Sequence, residues 1–158
     1  INDVSSIYPS SDDFRKEYLV ITNSNGYDIS VKYADVDSEK GGKVPMIRLS
    51  EMYLIAAESG FDTHKDVAIG LLEELRKNRG IAGEISKTIT YENFVKELTK
   101  EARREFIGEG QLFYWYKRLG LPVDQGSSTI TLESSQYCLP LPATEVEFGG
   151  RKEDYLNN

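Results

Sequence analysis

The sequence predicts a mainly α fold: a helical hairpin of the tetratricopeptide-like kind plus a third, kinked helix, with short irregular strands and long loops. Three observations lead there. Apolar residues recur at three- and four-residue steps in successive stretches between Leu49 and Leu119. Glycine, proline and capping residues fall at the ends of those stretches. The branched and aromatic runs that suit strands are short and lie before residue 34. With 158 residues the chain fits a single domain, 1–158, that buries about two thirds of its unfolded surface. We divide it into a loop and hairpin lead-in (1–45), a helical core (46–120) and an extended tail (121–158).

The lead-in is rich in turn residues. Tyr8-Pro9-Ser10-Ser11-Asp12-Asp13, Asn23-Ser24-Asn25-Gly26 and Ser38-Glu39-Lys40-Gly41-Gly42 punctuate it. Between them Tyr18-Leu19-Val20-Ile21 and Ile29-Ser30-Val31-Lys32-Tyr33 read as strands joined in a hairpin about Asn25-Gly26. From Leu49 the period becomes helical, and Leu49, Met52, Tyr53, Ile55, Ala56 and Ala57 nearly encircle the helix, predicting burial on most sides, with Gly60 as its C-cap. After Asp62 or Thr63 as N-cap, Val67, Ala68, Leu71, Leu72 and Leu75 form a stripe that ends at Arg79-Gly80. A short connection between two such helices makes an antiparallel pair, and Ala56 and Ala57 permit close approach.

The third helix starts after Thr90, with Tyr91, Phe94, Val95, Leu98, Ala102 and Phe106 or Ile107 on one side. Gly108 and Gly110 flank Glu109 and predict a break before a last helix, Gln111 to Leu119, stopped by Gly120-Leu121-Pro122. Gln125 to Ser128 reads as a loop, Gln136 to Pro142 as an extended apolar segment, and Thr144 to Phe148 as a single helical turn.

Composition excludes several functions. The net charge of −7, with Lys and Arg spread along the chain, offers no electrostatic footprint for nucleic acid. No apolar run approaches the ~20 residues of a membrane span, and the start of the chain lacks the pattern of a signal peptide. Cys138 and His64 are the single cysteine and histidine, so neither an internal disulfide nor a Cys/His metal or catalytic constellation is available, and no cofactor is expected. His64 reads as a solvated surface residue and Cys138 as a small buried one.

Charges on an apolar helix need partners. Arg48, Glu51 and Glu58 fall on nearly one side of the Leu49 helix, and burying an unpaired carboxylate costs several kcal/mol. An internal ion-pair network of Arg48, Glu51, Glu58, Arg103 and Arg104 is therefore expected, with Arg79 and Arg118 as further cations. The alternative is a catalytic acid pair of the glycosidase kind. With 26 acidic residues in the chain, two at helical spacing arise by chance, and the network is preferred. The run Phe113-Tyr114-Trp115-Tyr116 points around a helix, so at least two of its rings must enter a core. Phe113, Tyr116 and Trp115 are assigned there. Ligand-stacking candidates are Trp115, Tyr114, and the loop residues Tyr8 and Tyr27.

Two stretches carry a family signature: Val44-Pro45-Met46-Ile47-Arg48-Leu49-Ser50-Glu51-Met52-Tyr53-Leu54-Ile55-Ala56-Ala57-Glu58, and Arg103-Arg104-Glu105-Phe106-Ile107-Gly108-Glu109-Gly110 running into Phe113 to Arg118. With Asp13-Phe14-Arg15 through Lys32-Tyr33, Leu75 to Gly80 and Leu139 to Glu145, they resemble in order and spacing the C-terminal region of the SusD/RagB family of surface lipoproteins. Leu112 stands where that family frequently has Arg, and Trp115 where it frequently has Asp.

The resemblance implies a non-enzymatic role in capturing nutrients, chiefly oligosaccharides, at the outer-membrane surface for a SusC-like TonB-dependent transporter. The chain would be the C-terminal portion of a longer protein, touching the membrane only through a lipid anchor it does not itself contain. A helical-hairpin module that binds protein, without a glycan role, is the alternative.

Overall fold

The computed structural model describes residues 4–34, 45–124, 128–138, 142, 144 and 147–149. Two compact units result, Ile1–Trp115 and Tyr116–Asn158.

The first unit holds the helical pair and its lead-in. Helix α1 (Val4–Ile7) is followed by α2 (Phe14–Leu19), whose N-cap Asp13 accepts a hydrogen bond from the Arg15 backbone N–H. Strands β1 (Val20–Thr22) and β2 (Asp28–Ser30) pair antiparallel in the register Val20 to Ser30. Their turn contains Gly26 at a positive φ, as the Asn25-Gly26 hairpin requires. Tyr18 and Leu19, read from sequence as strand, close α2 instead, because the Asp13 cap starts a helix just ahead of them.

Helices α3 (Leu49–Gly60) and α4 (Lys65–Lys77) pack against each other, and α3 also meets α5 (Tyr91–Glu105). Leu54, Ala57, Ala68, Leu72, Leu75, Phe94, Leu98 and Ala102 form the buried seam. Phe61 stacks on Phe94 with ring centroids 4.6 Å apart and tilts against Tyr91 at 5.6 Å. Such ring pairs add about 0.5–1.5 kcal/mol beyond burial. At the other end of α5, Val4, Tyr8 and Ile107 cluster with Ile7 and Val20.

Several expectations are corrected. Helix α3 is not buried on most sides: Leu49 is 73% exposed, and Met52, Ile55 and Ala56 also face out, since α4 and α5 cover only the Leu54 and Ala57 side. Gly60 is the last residue of α3 rather than a left-handed cap; Phe61 keeps helical dihedrals, and its N–H donates to the Glu58 carbonyl. The N-cap of α4 is His64, which is exposed and caps with no side-chain bond.

Helix α5 begins at Thr90, whose hydroxyl accepts from the Asn93 backbone N–H. Its C-cap is Phe106, and Gly108 and Gly110, both at φ 74°, turn the chain into α6 (Gln111–Leu119). Left-handed dihedrals cost a β-carbon-bearing residue about 1–2 kcal/mol, which explains two glycines in one short turn. The sequence thus predicts the break where it occurs.

The second unit contains the end of α6, strands β3 (Val123–Asp124) and β4 (Thr129–Ile130), paired antiparallel, and a 3₁₀ turn, Ser134–Tyr137. Glu133 and Gln136 form a reciprocal capping box on that turn. Cys138 is exposed, contrary to expectation, because its backbone sits just past the turn while Tyr137 takes the buried position. The expected loop at 125–127 and apolar segment at 139–141 lie outside the described residues. Of the expected Thr144 to Phe148 turn, the Phe148 N–H donates to the Thr144 carbonyl at 2.9 Å.

Candidate functional site

A dense set of charges lies at the junction of α2, α4, α5 and the residue that caps α3. Arg15 is its hub. Asp13, two residues earlier, both caps α2 and grips the guanidinium, accepting from Arg15 Nε at 2.9 Å and Nη2 at 2.8 Å. Arg15 Nη1 donates to Glu101 Oε1 at 2.6 Å and Glu105 Oε1 at 2.7 Å. Glu101 and Glu105 are four residues apart on α5, so one helix face presents both to the same cation. This face is otherwise the core: Phe94, Leu98, Glu101 and Glu105 follow one another at steps of four, three and four.

Each carboxylate has further partners. Glu101 Oε2 accepts from Arg104 Nη1 at 3.1 Å and Arg76 Nε at 3.4 Å, and Arg76 also reaches Glu97 at 2.8 Å. Glu105 accepts from Arg79 Nε at 2.7 Å and Nη2 at 3.3 Å, with Arg48 Nη1 at 3.5 Å. Arg48 Nη2 bonds the Glu105 carbonyl and the Glu109 carboxylate, each at 3.0 Å. Lys32 joins the same two groups, and the Tyr33 hydroxyl donates to Glu109 at 2.8 Å. The chain thus crosses from residue 13 to residue 109 through one network.

The electrostatics follow from burial opposed by partners. Burial alone would raise the Glu105 carboxyl, but the hydrogen bond and charge of Arg79, with the charge of Arg15, outweigh it and hold it down at about 2. For Arg15, burial pulls downward, and the Asp13 hydrogen bond with the charges of Glu101 and Glu105 raises it further above its ordinary value. Burial lowers Lys32 in spite of its bond to Glu109. Tyr8 is pushed up to about 12, first by burial and then, against the pull of Arg15, by the charges of Asp13 and Glu105.

Among the residues named from sequence, Arg48 and Arg104 lie in the network, and so does Arg79. Arg103, on the same turn as Arg104, is half-buried. Glu51 forms no ion pair among the described residues. The network's carboxylates come from the cap of α2, from α5 and from the turn after it. Asp13, Arg15, Lys32, Arg76, Glu97, Glu101, Glu105 and Glu109 were missed. The available signal was two glutamates inside the apolar stripe of α5, where a solvated helix would carry them on the opposite face.

The aromatic candidates separate. Tyr8 is completely buried, not accessible: its ring joins the Val4 and Ile107 cluster, its hydroxyl donates to the Arg104 carbonyl at 3.0 Å, and Arg15 lies 5.9 Å from the ring centre. Trp115 is buried, donates from Nε1 to Thr99 Oγ1 at 3.0 Å, and tilts against Phe106. Tyr116 is buried too, whereas Phe113 is partly exposed, its ring edge-on to that of Tyr114. Tyr27 and Tyr114 are exposed. Among the described residues no group of three or more His, Cys, Asp or Glu is placed to hold a metal ion, and no helix is long and apolar enough to cross a membrane.

A helix pair tied to a third helix and to an upstream capped turn by buried arginine–glutamate pairs defines a helical scaffold. The sequence model of the SusD family matches residues 9–147, and the chain belongs to the SusD/RagB family. A solved structure of a SusD superfamily protein from Bacteroides thetaiotaomicron VPI-5482 is similar, with 26% identity and a TM-score of 0.73 over 94% of this chain. The chain spans 38% of the length of that relative. No curated protein matches the sequence.

Proposed function

We propose that this chain is part of a non-enzymatic receptor that captures nutrients, chiefly oligosaccharides, at the outer-membrane surface and passes them to a SusC-like TonB-dependent transporter. The family match over residues 9–147 carries this reading. Attachment to the membrane would come from a lipid anchor. The charge network takes its own glutamates out of acid catalysis. A general acid must hold a proton near neutral pH, and Glu105, at about 2, is fully ionised there. Glu101 is completely buried and accepts from three arginines, which leaves it no access to a substrate.

One observation favours a second reading, a helical-hairpin module that binds protein. Met46, Ile47, Leu49, Met52 and Ile55 expose apolar side chains at and along the start of α3. A single experiment separates the readings. Deleting the encoding gene should abolish growth of the host on at least one polysaccharide while growth on its monosaccharide persists, and tagged protein should co-purify a TonB-dependent transporter. Unchanged growth on every polysaccharide, with no transporter recovered, overturns the proposal. Unchanged growth with a transporter recovered selects the protein-binding module.

A further inference from the structure

The charge network opens on one side into a pocket of about 240 Å³, lined among others by Phe14, Tyr18, Lys32, Arg48, Arg79 and Glu105. Drug-sized sites begin at about 300 Å³, so this space suits a single ring.

Three features give it chemistry. Among the described residues positive charge is in surplus: Arg15, Lys32, Arg48, Arg76, Arg79 and Arg104 bridge Asp13, Glu97, Glu101, Glu105 and Glu109. Two donors are unspent. Arg48 Nε is buried with no hydrogen-bond partner among the described residues, its guanidinium 5.3 Å from the centre of the Phe106 ring. Arg79 commits Nε and Nη2 to Glu105, and its Nη1 has no hydrogen bond among the described residues, on a side chain that is 32% exposed. Lastly, Phe14 and Tyr18, four residues apart on α2, stand more than half exposed beside these cations. Glu105 also lines the pocket, yet its side chain is only 2% exposed and both oxygens are taken by arginines, so its charge is neutralised before an anion arrives.

We propose that this pocket binds one pyranose unit bearing a carboxylate, the acid group on Arg79 and the ring against Tyr18 and Phe14. Charge-assisted pairing to a guanidinium fixes the carboxylate, and the apolar C–H face of a sugar suits an aromatic plane. The glycan-capture reading supplies only the choice of a sugar as the ring; the anion contact stands without it.

The test is calorimetric titration of the whole chain with methyl glucuronide, methyl glucoside and inorganic sulfate. Methyl glucuronide should saturate, with the glucoside at least about tenfold weaker, which is about 1.4 kcal/mol. Arg79→Gln should weaken glucuronide by a similar factor, and Tyr18→Ala, at an exposed position, should weaken it while leaving helical circular dichroism unchanged. Added salt should weaken it further.

Absence of saturation with glucuronide overturns the proposal. So does a glucoside bound equally well, or sulfate bound equally well with Tyr18→Ala silent. Uronide binding without any growth defect on gene deletion would remove the transport role and keep this pocket; the converse would do the opposite.

Discussion

Replacing Glu105 by Gln removes one negative charge from between three guanidinium groups while nearly keeping the shape of the side chain. The magnitude can be worked in two ways. The carboxyl sits at about 2 against an ordinary 4.5. At about 1.4 kcal/mol per unit, the ionised form contributes about 3 kcal/mol. Separately, breaking a buried ion pair by removing one partner costs about 3–5 kcal/mol, because the other partner is left uncompensated. Both point to a loss of about 3 kcal/mol at neutral pH.

The sign of the pH dependence follows. A carboxyl with a depressed folded value stabilises fully above its unfolded value and loses that contribution as pH falls toward the folded one. The gap between wild type and Glu105→Gln should therefore hold from neutral pH down to about 4.5 and shrink toward pH 2. Urea unfolding followed by helical circular dichroism, on both proteins and at several pH values, measures it. A neutral-pH loss under about 1 kcal/mol, the range of an exposed pair, would show that Glu105 is not held as a buried ion pair. A gap that stays constant down to pH 2 would also do so.

Arg15→Lys keeps the charge but cannot reproduce the planar fork that grips Asp13 while reaching Glu101 and Glu105, and should cost at least about 2 kcal/mol in the same urea assay. Gly80→Ala should cost more than Gly26→Ala although both residues have positive φ. A β-carbon at 80 would fall on the Asp12 carbonyl and crowd the Phe14 ring at 3.0 Å, whereas one at 26 meets open space. The expected losses are above about 2 kcal/mol and about 1 kcal/mol, compared by thermal unfolding. Trp115→Ala should cost about 3–5 kcal/mol and flatten the near-ultraviolet dichroism, since the indole is buried and bonded to Thr99. An unchanged unfolding midpoint would instead return Trp115 to the list of surface rings.

Local chemistry was legible wherever a residue acts on its own neighbours. Thr90 caps α5 because a hydroxyl three residues before a free N–H needs nothing else. Gly108 and Gly110 break the helix because their backbone dihedrals exclude most side chains, and the stripe Ala68, Leu72, Leu75 marks the buried face of α4. The charge network was legible only in kind. An arginine at the head of an apolar helix announced that buried charges would be paired, yet Arg48 could not say with what.

The partner sets separate what the sequence determined from what the fold decided. Sequence determined the four helices from Leu49 on, the break at Gly108 and Gly110, and the family, since those depend on short-range patterns. Arg15 meets Glu101 and Glu105 across 86 and 90 residues, and no local period encodes a contact at that distance. Helix α3 makes the same point through its faces. Leu49, Met52 and Ile55 are as apolar as Leu54 and Ala57, so hydrophobicity could not choose between them. The approach of α4 and α5 buried one side and left the other in solvent, because a helix buries only the face its neighbours can reach.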